Sequence, residues 1–500
     1  MQKTIIAVIL QLLISISLSA ETYYVSPLGD NSNSGTSEDK PFQVVQCAIN
    51  QMSAGDVLIV LDGFYTGTIN FKSGITIKAK NPRNVIFSGA EPVYTSFEKH
   101  SGNLYKTKVD KEIKQVFFND MPMVWAQWPN LQWSENWETD KKWMKAGEDS
   151  DQGVFTCNEF TEISDLDLVG GYCFLKYGKG NSCYSRLIEA FDGERLYWDT
   201  ERFFSKIYAG EDGYKGSAPN SEFFLAGAFD LLDVPGEWIV KDGYLYLYPP
   251  AGTDPNDAVI LAKTNDFCIY QEDAVSDISI EGIDILASSV RFAAPGNDNI
   301  SFYDVYFTYI GEELLYINRP EGAEIDKPIY IEGSNISFEK CLFAGGKNSA
   351  LKLFGSEIHI ENCVFMENNR HANFESRPVV LYANGTYKIT RNTFFNNCSD
   401  AMRIIHDADF VNSIPQEISY NNICNAGKYN VDVSGIYMPN KSQHYANVHH
   451  NWIHNVKGNA YRLDKAGVEL NLHHNVFWES KRGINVEGFE YFNIYNNTSF

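Results

Sequence analysis

The sequence predicts an all-β chain, a parallel β-solenoid with an N-terminal capping helix and one inserted β-rich subdomain. Three observations lead there. The first is a repeat from about residue 278, in which alternating apolar residues precede a small polar one: ISIEGIDI (278–285), ISFYDVYF (300–307), ISFEKCLF (336–343), IHIENCVF (358–365), YKITRNTF (387–394), ISYNNICN (418–425), NVHHNWIH (447–454), NLHHNVFW (471–478) and NIYNNTSF (493–500). With Gly282, Asp304, Cys341, Cys363, Asn392, Asn422, Asn451, Asn475 and Asn497 taken as equivalent, the successive spacings are 22, 37, 22, 29, 30, 29, 24 and 22 residues, one coil per repeat. The second is composition: 44% hydrophobic and 21% charged residues supply core and no disorder signature. The 500 residues then form one elongated solenoid of about a dozen coils, to which length-per-domain arithmetic does not apply. The third is a gap in the repeat between about 113 and 262 that holds seven of the nine tryptophans.

Residues 1–20 carry Lys3, an apolar run from Ile5 to Ile14 and the small-residue stretch Ser15 to Ala20, the pattern of a secretory signal peptide. A secreted or periplasmic protein is expected, without a lipid anchor because no cysteine follows at once. Residues 21–112 hold the cap and first coils. Phe42, Val45, Ile49 and Met52 share one helical face ahead of the apolar strand VLIVL, and the pieces GTINF, ITIKA and VIFSG continue the coil pattern. Residues 113–262 form the insertion, where LDVPGEWIVKDGYLYLYPP (232–250) places an Asp-Gly turn between aromatic strands and predicts a hairpin. Residues 263–500 form the main solenoid. It stops at Phe500 inside a repeat unit, so a partner or further residues are expected over the last coil.

Within a coil, period-2 alternation turns every second side chain inward, and the small residue marks a corner where it stacks on its neighbour above. Asn392, Asn422, Asn451, Asn475 and Asn497 read as an architectural asparagine ladder, aided by the tolerance of Asn for left-handed backbone. Cys341 and Cys363 read as stacked core thiols. The nine cysteines show no metal-like pairs, and among Cys157, Cys173 and Cys183 one bridge and buried thiols are both open. Asp and Glu number 64 against 41 Lys and Arg, a formal charge of −23, which disfavours nucleic acid and anionic membranes. No segment after residue 20 is long and apolar enough for membrane insertion.

The strands after the ladder align as ALKLF (350–354), AMRII (401–405), GIYMP (435–439), AYRLD (460–464) and GINVE (483–487). Leu353, Ile404, Met438, Leu463 and Val486 point inward. One outward column is Lys352, Arg403, Tyr437, Arg462 and Asn485; the next is Phe354, Ile405, Pro439, Asp464 and Glu487. Asp464 and Glu487, 23 residues apart, therefore stack on adjacent coils. The doublets His449–His450 and His473–His474 raise a metal question. Alternation turns one ring of each inward, leaving two-member stacks that make an incomplete zinc site, so neither metal nor other cofactor is expected.

The segments YYVSPLGDNSNSGTSEDKPF, FFNDMPMVWAQWPN, LDVPGEWIVKDGYLYLYPP, DVSGIYMP and HHNWIH resemble secreted right-handed parallel β-helix carbohydrate-active proteins over nearly the whole mature chain. The nearest likeness is to glycoside hydrolase families 141, associated with α-L-fucosidase and xylanase activity, and 120, associated with β-xylosidase. The resemblance implies a glycosidase with two carboxylates on one solenoid face, acting on an oligo- or polysaccharide.

Strand spacing of about 4.8 Å puts stacked carboxylates near the roughly 5–5.5 Å of a retaining glycosidase. Close like charges would push one pKa upward, which assigns Asp464 as nucleophile and Glu487 as acid/base; the alternative is a pair of solvated face residues offset by Arg462, Lys465 and Arg482. Asp432, in the DxxGIY pattern that belongs to the likeness, is the third candidate. Paired with Asp464 across a substrate it would permit inversion, and its alternative is an Asx-type turn residue. Arg403, Tyr437, Arg462 and Asn485 would contact sugar, with His406 and Asp407 on the rim and the loops 366–378 and 406–417 as walls. Two other classes stay open: a β-helix polysaccharide lyase using Lys or Arg as base, for which Lys352 and Arg403 lie two coils apart, and a non-catalytic glycan-binding solenoid.

Overall fold

The computed structural model describes residues 20–131, 142–176, 183–200, 218–250, 252–311, 327–370, 376–406, 416–430, 432–439, 443–464, 467–488 and 490–500. The segment up to residue 19 expected to be a signal peptide, Asp407 and Lys465 lie outside them. Each coil contributes strands to three faces. One face runs through Val379–Ala383, Met402–His406, Ser434–Met438, Asn459–Leu463 and Arg482–Val486, all parallel. A second runs through Tyr387–Thr390, Gln416–Ser419, Ala446–His449 and Gly467–His473, and a third through Thr393–Phe395, Asn422–Cys424, Trp452–His454 and Val476–Trp478.

Inward columns fill the interior with like on like. Phe307, Phe343, Phe365 and Phe394 stack ring on ring at 5.0, 4.5 and 4.7 Å with planes within 6° of parallel. That spacing is the strand spacing itself, so one residue type repeated per coil gains aromatic contact at no cost in geometry. The open end of the first coil is covered by helix Val45–Gln51, whose Val45, Ala48 and Ile49 are buried with Phe42 and Met52.

The asparagine ladder exists, shifted by one residue at a single coil. Its members are Asn392, Asn421, Asn451, Asn475 and Asn497, not Asn422: the Oδ1 of each accepts the backbone N–H and the Nδ2–H of the one before at 2.9–3.0 Å. Asn422 instead opens a strand opposite Thr393 and Trp452. Gly282 and Asp304 are likewise one position early; Ile283 and Val305 are the buried equivalents. The left-handed corner belongs to the residue before the ladder, where Gly282, Asp304, Lys340, Asn362, Arg391, Tyr420, His450, His474 and Asn496 have φ of 53–67°. Neighbouring Asn-Asn pairs made the two roles indistinguishable by residue type. Asn451→Ala should cost about 2–3 kcal/mol, because the Asn421 donors are left buried without an acceptor, whereas Asn422→Ala should cost under about 1 kcal/mol. Urea unfolding of the two variants checks the register; the reverse order of stabilities would refute it.

The left-handed corner also corrects the histidine doublets. It interrupts alternation, so His449 and His473 point out by strand register with Val448 and Leu472 buried beside them, and His450 and His474 are exposed as well.

The chain leaves the solenoid near Ala90, close to residue 92 where the expected coil pieces end and before the expected start of the insertion at residue 113. Glu98–Ser101 pairs with Leu104–Lys108, and Leu104–Lys108 with Tyr244–Tyr248 of the inserted sheet, while Ala90–Pro92 pairs with the returning strand Ile260–Lys263. These strands, AEP, EKHS and LYKTK, lack the inward-outward alternation of the coil strands. The solenoid closes over the gap: Thr76–Ala79 pairs with Ser276–Glu281, and Val85–Ser88 with Asp284–Leu286. Of the piece GTINF only Ile69 bridges, to Ile269. The hairpin Glu237–Lys241 with Tyr244–Tyr248 turns at Asp242 and Gly243, with φ of 50° and 77°, as an Asp-Gly primed turn requires. All nine cysteines are free thiols, and Cys341 and Cys363 are buried.

Glu237 is buried in the insertion and accepts the N–H groups of Gln127, Asp233 and Val234 at 3.2–3.4 Å. Burial pushes its carboxyl up to about 8 against the opposing pull of those N–H donors. A folded pKa above the unfolded value means the folded state holds the proton more tightly. Stability from this group is therefore full below about pH 4.5 and is lost as pH rises toward 8, at roughly 1.4 kcal/mol per pH unit. Melting curves between pH 5 and 9 should fall more steeply for the native chain than for Glu237→Gln; parallel curves would overturn the expectation.

Candidate active site

Strand register assembles the outward columns on the first face. Lys352, Val380, Arg403, Tyr437, Arg462 and Asn485 stand in line. The strand Val379–Ala383 supplies Val380 between Lys352 and Arg403, and Tyr382 between Phe354 and Ile405; its apolar sequence VVLYA carries no corner residue to mark it. The Asp464 N–H donates to Met438 O at 2.9 Å and the Glu487 N–H to Leu463 O at 3.0 Å, with Leu463 opposite Val486. Asp464 and Glu487 are thus one strand apart in the same column.

Their surroundings differ. Asp464 is 9% exposed and is gripped by Arg462, Nε to Oδ1 at 2.9 Å and Nη2 to Oδ2 at 2.8 Å, while the Tyr437 hydroxyl donates to Oδ2 at 3.1 Å. Glu487 is exposed. The Arg462 guanidinium also reaches Asp432, Nη1 to Oδ1 at 2.7 Å, and lies 4.8 Å over the Tyr437 ring, with Arg403 at 6.0 Å from the same ring. Burial works against the Arg462 charge, but the hydrogen bond to Asp464 and the charges of Asp432 and Asp464 outweigh it and raise its pKa. Burial first, then the Asp464 charge, push the Tyr437 hydroxyl up to about 12. Tyr437 therefore stays a donor across the physiological range. Asn485 follows Arg462 in the column, half-buried.

Of the residues expected to line the site, Asp464, Asp432, Tyr437 and Arg462 form one connected cluster, and Arg403, Glu487 and Asn485 flank it. His406 does not reach the rim. Alternation from Ile404 carries it inward, where it is 1% exposed with its ring edge-on to Tyr387 at 6.3 Å. The expectation counted His406 as the start of a loop, whereas it ends the strand Met402–His406. Of the two wall loops, residues 371–375 and 407–415 lie outside the described residues.

Sequence reading missed an ion pair beneath this cluster. Arg377 Nε meets Asp400 Oδ2 at 2.9 Å with both side chains under 5% exposed, and Asp400 Oδ1 accepts the N–H of Ser434, the first residue of the strand that carries Tyr437. Burial pushes the Asp400 carboxyl up, against the Arg377 charge. The one sequence signal was an Asp directly ahead of an apolar strand, which is ordinary turn chemistry. The insertion borders the same edge: Trp143 meets Tyr429 edge-to-face at 6.0 Å, and Lys176 sits 3.9 Å over Trp143 while pairing with Glu222 at 3.0 Å. Tyr429 precedes the loop that holds Asp432.

Comparison with known proteins bears on the fold. The family described as right handed beta helix region matches residues 255–414. No curated protein matches the sequence. A solved structure named as a glycoside hydrolase superposes with a TM-score of 0.68 at 15% identity, over 95% of this chain and 97% of that one. XylC in complex with xylose gives 0.36 at 13% identity over 95% and 65%, and the GH136 lacto-N-biosidase of Eubacterium ramulus 0.33 at 10% over 96% and 67%. The repeated coils, the three parallel faces, the family match over residues 255–414 and the superposition at 0.68 together make the chain a right-handed parallel β-helix with a β-rich insertion.

Proposed function

We propose that this protein is a glycoside hydrolase that cleaves glycosidic bonds of complex polysaccharides on the first face of the β-helix. The observation that carries the reading is Asp464, held by Arg462 and Tyr437, one strand spacing from the exposed Glu487. A spacing of about 4.8 Å suits a retaining pair. Asp464, fixed on two sides, is placed to attack the anomeric carbon; Glu487, free to meet solvent, is placed to protonate the departing oxygen and then activate water. Tyr437 and Arg462 aim the nucleophile and are positioning residues. Arg462 fills the space between Asp432 and Asp464, which speaks against those two as an inverting pair, since that pair needs room for water and sugar. Arg403 and Asn485 flank the pair along the column and supply hydrogen bonds to the glycan. The apolar leader Ile5–Ile14 supports action outside the cytoplasm. Xylosides and fucosides head the substrate list because of the family likeness of the sequence.

The test is a panel of aryl glycosides and plant cell-wall oligosaccharides, read for reducing ends. Hydrolysis with retained anomeric configuration is expected. Ultraviolet-absorbing unsaturated products would establish a lyase, and glycan binding without turnover a binding solenoid.

A further inference from the structure

Far from that cluster in role, the four histidines that the left-handed corner turns outward form an ordered block. His449 stacks on His473 at 4.9 Å and 8°, and His450 on His474 at 5.0 Å and 1°. Within each doublet the rings are perpendicular and their Nδ1 atoms face each other at 2.8 Å. Stacking alone does not call for nitrogen: Tyr420 and Tyr495 extend the same stacks, against His450 at 4.9 Å and His473 at 4.7 Å. What histidine adds is a pair of facing lone pairs, repeated one coil on.

The outer nitrogens of the second doublet are already engaged. His473 Nε2 lies 2.9 Å from Asn447 Oδ1, which only accepts, so the proton is on Nε2 and Nδ1 is a bare lone pair. Asn496 Nδ2 donates to His474 Nε2 at 3.3 Å, which leaves the His474 proton on Nδ1, pointing at His473. One proton is then shared between the two nitrogens that would hold a cation to one side of their line. His449 Nε2 lies 3.8 Å from the Glu417 carboxylate, beyond hydrogen-bond reach.

We propose that these doublets form a two-nitrogen site for a late first-row divalent ion, with Cu(II) preferred. Bonds of about 2.0–2.1 Å to nitrogens 2.8 Å apart enclose about 86° at the metal, close to the right angle of a tetragonal site; tetrahedral zinc would need roughly 3.3 Å between them. Copper then leads nickel by the general order of divalent affinities. At that bite each lone pair stands about 47° off the Nδ1–Nδ1 line, so the exposed His450 and His474 rings turn out of their stacked positions when the ion binds. In the second doublet the His474 proton moves from Nδ1 to Nε2, and Asn496 turns its amide to accept it with Oδ1. Among the described residues no three His, Cys, Asp or Glu side chains converge on one point, so the remaining positions go to water. The doublets lie about one strand spacing, roughly 4.8 Å, apart, and two dications that close repel, so one ion saturates the block. The proposal does not depend on the glycosidase reading, and it reverses the absence of metal expected from alternation, which rested on one ring of each doublet facing inward.

The experiment is equilibrium titration of tag-free protein with buffered Cu(II) and Zn(II), with electron paramagnetic resonance of the copper form. Expected are one Cu(II) per chain, an axial spectrum with nitrogen splitting, and Zn(II) bound at least tenfold more weakly. H450N/H474N, in which Asn keeps the positive φ, should lose at least tenfold in copper affinity; H449N/H473N, which removes the other nitrogen of each doublet, carries the comparison if the first double variant melts early. Copper bound equally by the variant, a spectrum without nitrogen splitting, or tighter zinc would each overturn the proposal.

Discussion

Asp464→Asn should lower kcat by about 10⁴-fold or more on every substrate, because a neutral amide cannot form the glycosyl ester. The fold should survive: Asn keeps an oxygen for the Tyr437 hydroxyl and for Arg462, which also retains Asp432. Glu487→Gln should behave differently. Loss of the acid costs about 10²–10⁴-fold in kcat/KM on substrates whose leaving group needs a proton, and little in kcat/KM on aryl glycosides whose phenolate leaves unaided. Loss of the same group as base slows hydrolysis of the glycosyl ester and lowers kcat on both. Steady-state kinetics on glycosides of graded leaving-group acidity separate the two roles. A leaving-group-dependent loss of kcat/KM in the Asp464 variant, and a uniform one in the Glu487 variant, would exchange the assignments; undiminished hydrolysis in both would remove the pair from the mechanism.

Arg377→Met should destabilise the β-helix by about 3–5 kcal/mol, since it leaves Asp400 buried without its cation. The loss should depend on pH. With the cation gone, burial raises the Asp400 carboxyl further above its unfolded value, so the variant is most stable in acid, where that carboxyl is neutral, and weakens as pH rises. Denaturant midpoints at pH 4.5 and 8 should therefore diverge between native and variant chains. Adding Asp400→Asn should recover part of the deficit at pH 8, because no charge remains buried. Activity should fall as well, since Asp400 anchors the N–H of Ser434 at the head of the Tyr437 strand. An equal deficit at both pH values would mean that lost packing, and not the charge, set the cost.

Much of this protein is legible in its sequence because a solenoid is nearly one-dimensional: each coil contacts the coils beside it, so periodicity in the chain is periodicity in space. That is why the capping helix, the Asp-Gly hairpin, the inward Leu463 and Val486 and the stacking of Asp464 over Glu487 could all be read from spacing. The errors fall where residue type no longer distinguishes positions. Asn421 and Asn422 are chemically identical, and only the ladder hydrogen bonds tell which faces in. The short strands between Ala90 and Lys108 carry no periodic signal, and only pairing assigns them to the insertion. The left-handed backbone at His450 and His474 is silent in the sequence, and it decides that both rings of each doublet face out.

Repeat and alternation fix the β-helix, its insertion and the column that Asp464 and Glu487 share, because hydrophobic period and strand register are local properties. Only the tertiary structure decided that Arg462 bridges Asp432 and Asp464, that Arg377 and Asp400 lie buried beneath, and that His406 is inside. Those are contacts between side chains on different coils or beyond a strand's last residue, and they depend on rotamers, corner dihedrals and burial that no spacing rule encodes.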